Sequence, residues 1–173
     1  MKQKYLFTVR LVVIIALASL CSTAYSKETH SDSHQEHDKH DIEIGVSVGY
    51  AYLEEEKEVG ANLHLHFMKK LSGEGIQKYL SVGVGLETIF AHEQHKAALL
   101  ALGIHPVDNV VLTLSAGTEW AKHNGVTESG TVIHFEATYL FEAEGYHYGP
   151  VVGYAKTHED QHYTLGLHFG FPL

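Results

Sequence analysis

The segment YTLGLHFGFPL, residues 163–173, alternates between apolar and small or polar side chains up to its last residue. Side chains of a β-strand point alternately to its two faces, so this pattern predicts a strand with one apolar face. Such a strand is compatible with a soluble sandwich and with a membrane barrel. The apolar positions are Tyr163, Leu165, Leu167, Phe169, Phe171 and Leu173.

Residues 1–26 have the features of a secretory signal peptide. Positive charges at residues 2, 4 and 10 precede the apolar run LVVIIALASL at 11–20, and small residues at 24 and 26 suit cleavage before Lys27. The run is too short to cross a bilayer as a helix. Cys21 follows Leu20, whereas a bacterial lipoprotein signal places Gly, Ala or Ser before its cysteine. We therefore expect a cleaved signal and no lipidation.

The chain that remains after cleavage is acidic and has neither cysteine nor arginine. This composition excludes disulfides and thiolate chemistry, and it argues against a nucleic-acid partner. No later segment approaches eighteen consecutive apolar residues, so we expect no transmembrane helix.

Between residues 42 and 173 the chain divides into eight alternating segments. The fourth, 96–105, is apolar on both faces and is also compatible with a short helix. Eight strands joined by hairpins predict an all-β, antiparallel up-and-down barrel. The segments span 42–53, 58–68, 78–90, 96–105, 109–121, 131–143, 146–156 and 163–173, and the connections include 69–77, 91–95 and 122–130.

The composition of the two faces indicates which side of the barrel meets water. The more polar face consists mainly of Gly, Ser, Thr and Ala with scattered Glu and His, which suits a narrow lumen. The apolar face is aliphatic in the middle of the strands and aromatic at both ends, as in a transmembrane barrel. The aromatic residues are Tyr52, Phe90, Trp120, Tyr154 and Tyr163 at one rim, and Phe67, Tyr79, Tyr139, Phe141, Tyr146, Tyr148, Phe169 and Phe171 at the other.

From Ile42 to Leu173 the chain resembles the small eight-stranded outer-membrane barrels of Gram-negative bacteria. The short turn at 106–109 is part of the resemblance, and the last strand resembles the signal that the barrel-assembly machinery reads in that class. The resemblance implies a monomer in outer-membrane lipid, with the assembly machinery as a partner. The final Leu173 departs from the class, which favours an aromatic residue there, usually Phe.

The chain contains fifteen histidines, an unusual number for its length. Residues 27–41 are polar and acidic, which predicts a disordered periplasmic tail. Imidazole and carboxylate groups together bind Zn²⁺, Cu²⁺ or Ni²⁺, and a solvated linker is the alternative interpretation. The histidines of this tail are His30, His34, His37 and His40.

A second set of candidate ligands lies on the predicted lumenal face. His64 and His66 are two residues apart, so they point to the same side of a strand. Closure of the barrel brings the last two strands beside the first two, which predicts a patch of Glu43, His66, His147 and His168. A hydrogen-bonded network that fills the lumen is the alternative interpretation.

The remaining candidates carry weaker predictions. A further inward group is expected from Glu87, Glu119, His134 and Glu136, while His92, His95, His123, His158 and His162 are expected in solvated loops. Ser47 or Ser115 beside a lumenal histidine lacks the motif spacing of a catalytic triad, so we expect no enzyme.

The sequence therefore predicts an outer-membrane barrel that handles divalent transition-metal ions. Because eight strands leave no open channel, capture or delivery at the periplasmic mouth is expected rather than free diffusion. Two alternatives remain open: a structural or stress-related barrel whose histidines only titrate, and a soluble periplasmic barrel that binds an apolar ligand.

Overall fold

The computed structural model describes residues 41–123, 126–158 and 160–173. The predicted signal peptide and the tail with His30, His34, His37 and His40 lie outside these ranges. Within them, a 3₁₀ helix at Gly75–Tyr79 precedes the third of nine strands. The strands are β1 (Ile42–Leu53), β2 (Glu58–Lys70), β3 (Leu80–Phe90), β4 (Gln94–Val107), β5 (Val110–His123), β6 (Val126–Tyr139), β7 (Phe141–Ala143), β8 (Tyr146–Lys156) and β9 (Gln161–Pro172).

The strands form one closed antiparallel barrel. Consecutive strands pair from β1 to β6 and from β7 to β9, and β1 pairs with β9. Strand β6 pairs with both β5 and β8, which closes the barrel. Strands β6 and β7 are two parts of one wall, interrupted at Leu140, whose backbone N–H donates to the Asn109 carbonyl at 2.7 Å. The predicted eight-stranded up-and-down barrel is confirmed.

Two local predictions about the strands are corrected. Residues 96–105 belong to strand β4, which pairs with β3 and β5, so the helical alternative is wrong. The connection predicted at 122–130 is also wrong, because β5 and β6 remain paired out to His123 and Val126. Backbone pairing continues past the point where the apolar alternation stops, since residues 126–131 are polar or exposed but still extended.

The two faces of the wall differ as predicted. Outward-facing aliphatic side chains such as Leu86, Leu100 and Leu165 are 59%, 71% and 64% exposed. Both aromatic rims face outward. At the end that carries Ile42 and Pro172, which we call the terminal end, Tyr146 and Phe171 have ring centroids 6.2 Å apart. At the opposite end, Tyr154 and Tyr163 lie 5.3 Å apart.

The lumen is packed with side chains rather than lined only by small residues. Buried polar groups extend along the lumen from His168 near the terminal end to His95 and Glu119 near the opposite end, and two small apolar clusters lie among them. One apolar cluster comprises Ala97, Leu99, Val132 and Ala155, and the other comprises Ala51, Leu53 and Ile89.

None of the helices in the described ranges has the length and hydropathy that crossing a bilayer requires.

Candidate metal centre in the lumen

Two histidines and two glycines form one row across four adjacent strands near the terminal end. His66 on β2 is paired with Gly45 on β1, Gly45 with Gly170 on β9, and Gly170 with His147 on β8. Each imidazole lies over the neighbouring glycine. A Cβ built on Gly45 would be 2.0 Å from His66 Nε2, and one on Gly170 would be 1.8 Å from His147 Nε2. The glycines therefore let the two rings lean toward each other.

Glu43 is the acidic member of this group and faces three histidines. Its Oε1 lies 3.2 Å from His66 Nε2 and 3.8 Å from His168 Nε2, and its Oε2 lies 3.4 Å from His147 Nε2. Ligand atoms of Glu43, His147 and His168 all lie within 4.8 Å of one another. We call these four residues, Glu43, His66, His147 and His168, the terminal site.

The ring of His168 is held by a hydrogen bond at Nδ1 and by an imidazole ring on each face. Its Nδ1 lies 3.1 Å from the Ser47 hydroxyl, which leaves Nε2 directed at Glu43. The ring stacks between those of His66 and His147, with centroids 5.1 and 5.5 Å away. Histidines that bind metals commonly use the second ring nitrogen in this way, since that hydrogen bond sets both tautomer and orientation.

The spacing of Glu43 from the three histidines is compatible with a transition-metal coordination shell. Two ligands at the Zn–N distance of a tetrahedral site are about 3.4 Å apart. The three contacts of Glu43 with histidine nitrogens, at 3.2–3.8 Å, lie near this value. The side chains of Glu43, His66 and His147 are 23%, 17% and 15% exposed, so an ion can reach them from the terminal end.

The sequence-predicted candidates thus divide into three sets. Glu43, His66, His147 and His168 come together as expected, whereas the four tail histidines lie outside the described residues. His64 lies deeper in the lumen, where its Nδ1 is 3.1 Å from Glu136 Oε1. His64 is therefore paired with Glu136 and does not belong to the terminal site.

Two histidines expected in solvated loops are buried, so that prediction is wrong for them. His95 is 4% exposed and His162 is 2% exposed, because β4 and β9 begin earlier than the alternation indicated. His95 lies between Glu119 at 2.7 Å and Glu56 at 3.2 Å. His92 and His158 are exposed as expected, and the His123 side chain is outside the described set.

Histidines are the ion-pair partners of the buried carboxylates in the described part of the lumen. Glu87 faces His134 and His162, Glu119 faces His95, and Glu136 faces His64. Glu87, His134 and His162 form a second group whose ligand atoms lie within 4.8 Å of one another. In the turn at the opposite end, burial raises the pKa of the Glu56 carboxyl, although the neighbouring His95 acts to lower it.

Comparison with known proteins identifies the fold. No family model and no curated protein matches the sequence. Neisserial surface protein A is 9% identical, covers 76% of this chain and 96% of its own, and has a TM-score of 0.50. The Yersinia pestis outer membrane protein Ail, in a phospholipid nanodisc, is 14% identical over 75% of this chain and 97% of its own, with a TM-score of 0.46. A designed transmembrane β-barrel is also 14% identical, over 79% of this chain and 99% of its own, with a TM-score of 0.48.

At these identities the likeness concerns the fold alone. The chain has the fold of the small eight-stranded transmembrane barrels, as its alternating segments predicted.

Proposed function

We propose that this protein is an outer-membrane barrel that binds divalent transition-metal ions at the terminal end of its lumen. Its role is capture or delivery of the ion at the periplasmic mouth. The observation that carries the proposal is the convergence of Glu43, His147 and His168, whose ligand atoms lie within 4.8 Å of one another. His66, on a fourth adjacent strand, lies 3.2 Å from Glu43. Two of these ligands take their positions only because glycine lies beneath them.

The outer-membrane location is supported by the surface of the barrel. A continuous band of exposed aliphatic side chains would be a large apolar patch on a protein in water. Because two aromatic rims flank it, the same band suits contact with the hydrocarbon core of a bilayer. The fold shared with neisserial surface protein A points the same way.

The chemistry of the ligands narrows the choice of ion. Imidazole nitrogen with a single carboxylate suits Zn²⁺, Cu²⁺ or Ni²⁺, whereas Mg²⁺ and Ca²⁺ prefer oxygen ligands throughout. The sequence places His40 only three residues before Glu43, and three more histidines precede it at 30, 34 and 37. The tail histidines offer ligands of the same chemistry, and we propose that they add to the number of ions that the chain binds.

A binding role is preferred to a catalytic one. Ser47 and Ser115, the serines on which a triad would depend, are only 5% and 2% exposed. The Ser47 hydroxyl contacts His168 Nδ1 in a packed lumen rather than facing a cleft. We therefore assign Ser47 to the positioning of a ligand.

Calorimetric titration of the mature protein in detergent with Zn²⁺, Cu²⁺ and Ni²⁺ tests this function. We expect several ions per chain, fewer after removal of residues 27–41, and loss of a further site in a variant with His66, His147 and His168 all replaced by Ala. The variant His92→Ala, altered at an exposed loop histidine, should titrate like the parent. Negligible binding by the intact mature protein to all three ions would reject metal handling.

The location has its own test. A folded membrane barrel migrates faster than its heat-denatured form in detergent gels and fractionates with the outer membrane. Release of the protein by osmotic shock would reject the membrane assignment and favour a soluble periplasmic barrel.

A structural role for the histidines is the second candidate, and His95 with Glu119 favours it. Their contact of 2.7 Å is a short charge-assisted hydrogen bond between buried groups, which needs no metal. Under this alternative, the contacts of Glu43 with the histidines of the terminal site are likewise hydrogen-bonded pairs that need no metal. Replacing His66 and His147 would then lower stability in metal-free buffer and leave ion binding unchanged.

A further inference from the structure

A second group of metal-ligand residues spans the lumen rather than following one wall. Glu87 lies on β3, and three strands separate β3 from β8 in either direction around the barrel. His134 on β6 and His162 on β9 are both paired with Ala155 on β8, so they flank one small residue in a single row. The carboxylate of Glu87 therefore reaches across the lumen to two imidazoles on the far wall.

The contacts in this group differ from those of a conventional ion pair. Glu87 Oε2 is 3.3 Å from His134 Nε2 and 3.7 Å from His162 Nε2. Neither nitrogen makes a hydrogen bond within the described residues, although both histidines are at least 97% buried. Charge-assisted hydrogen bonds are about 2.7–2.9 Å long, as between His95 and Glu119. The two distances instead bracket the separation of about 3.4 Å between ligands of a tetrahedral zinc ion.

The hydrogen bond that holds the Glu87 carboxylate also supports a metal site. Its other oxygen, Oε1, accepts a hydrogen bond of 2.6 Å from the Asn62 side chain. Asn62 thereby fixes the carboxylate and leaves Oε2 for the two histidines. A ligating carboxylate held by an outer hydrogen bond is a common feature of metal sites.

We propose that Glu87, His134 and His162 supply three ligands of a second, buried metal site for Zn²⁺. We call it the cross-lumen site. It does not depend on the tail or on the terminal site, since it shares no residue with either. Its three side chains are 4%, 3% and 2% exposed, so the ion is enclosed and exchanges slowly.

The topology gives this ion a role in assembly. Its ligands come from β3, β6 and β9, which reach one another only when the barrel closes. An ion bound there ties opposite walls together and stabilises the closed form over every partly paired state. The ion enters as the barrel closes and stays in place after assembly.

The test uses slow exchange to separate the two sites in the intact mature protein. The protein is refolded into detergent micelles with Zn²⁺, exposed overnight to excess EDTA, and desalted, and the remaining zinc is measured by atomic absorption on the folded, heat-modifiable fraction. We expect about one chelator-resistant ion per chain. The variants Glu87→Gln and His162→Asn should lose it, and Glu43→Gln combined with His147→Asn should keep it.

A second measurement covers the case in which a variant folds poorly. The parent refolded with Zn²⁺ and then cleared of exchangeable ions with EDTA should unfold at a temperature about 5 °C or more above that of the parent refolded in EDTA throughout. Glu87→Gln should show no such difference. His92→Asn should behave as the parent in both measurements.

Two results would overturn the cross-lumen site: a parent that keeps no zinc after chelation, and resistant zinc that persists in both Glu87→Gln and His162→Asn. Neither result bears on the terminal site, whose ions are removed by EDTA and counted by direct titration. Conversely, a parent that retains one resistant ion but takes up no more would reject the proposed capture function and leave this inference standing.

Discussion

The imidazole of His147 occupies the space that a side chain at position 170 would need, since a Cβ built on Gly170 would lie 1.8 Å from His147 Nε2. The replacement Gly170→Ala should therefore displace His147 from the terminal site. Loss of one correctly placed ligand should weaken Zn²⁺ binding there by at least about tenfold. Calorimetric titration of the tail-deleted barrel measures this effect without the tail histidines.

Gly130→Ala is the matched control, because a Cβ at position 130 meets no atom within 4 Å. It should leave zinc affinity unchanged. Equal affinities in the two alanine variants would show that His147 is not a ligand.

The pair of His95 and Glu119 should contribute to stability in metal-free buffer. Both side chains are almost fully buried, and His95→Ala would leave the Glu119 carboxylate without its partner. Breaking a buried pair of this kind should lower the free energy of unfolding by roughly 3 kcal/mol at neutral pH. Urea unfolding with EDTA present provides the measurement.

The exposed His92 offers the comparison, because its side chain lies at the surface of the neighbouring turn. His92→Ala should change the free energy of unfolding by no more than about 0.5 kcal/mol. If His95→Ala were equally mild, the lumenal pairs would not be the source of stability.

Leu100 allows lipid and water to be distinguished as the surroundings of the barrel. It lies in the middle of β4, faces outward and is 71% exposed. In a bilayer, Leu100→Arg should cost about 2–4 kcal/mol because the charge enters the hydrocarbon core. On a soluble barrel, the same surface change should stay within about 0.5 kcal/mol. Urea titration of the barrel refolded into lipid vesicles gives the difference.

Thr127→Arg is the reference for this experiment. Thr127 pairs with Lys122, two residues beyond the rim residue Trp120, so its side chain is exposed at the opposite end. We expect a cost of at most about 1 kcal/mol there. Similar costs at positions 100 and 127 would contradict a membrane-embedded band.

The alternating segments were sufficient to predict the barrel because each strand face meets a different medium. In the last strand, Leu165 and Leu167 face outward while His168 is buried, which is the pattern that periodicity detects. The approximate position of Glu43 beside His147 was also predictable. Closure of an up-and-down barrel always brings the last strands beside the first.

The cross-lumen site could not be predicted in the same way. His162 stands one residue inside β9, next to turn residues, and local composition there indicates a loop. Its proximity to Glu87 depends on the stagger of the strands and on which side chains reach across the lumen. Stagger is a property of the closed barrel, so alternation within single segments carries no information about it.

Ser47 and Ser115 give the last prediction, since they are two buried lumenal serines with different contacts. The hydroxyl of Ser47 lies 3.1 Å from His168 Nδ1, whereas that of Ser115 has no hydrogen-bond partner among the described residues. For His168 to bind a metal through Nε2, its Nδ1 must carry the proton and donate to Ser47. Ser47→Ala should therefore weaken zinc binding at the terminal site by about 10–100-fold, the usual effect of removing such a partner.

Ser115→Ala removes the same atom from a position that supports no ligand, so it should leave the titration unchanged. A network that serves only to fill the lumen would respond differently: Ser47→Ala would lower the unfolding temperature in EDTA and have no effect on zinc affinity. Calorimetry and thermal unfolding of the two variants, each with and without Zn²⁺, therefore distinguish a positioned metal ligand from a packing contact at His168.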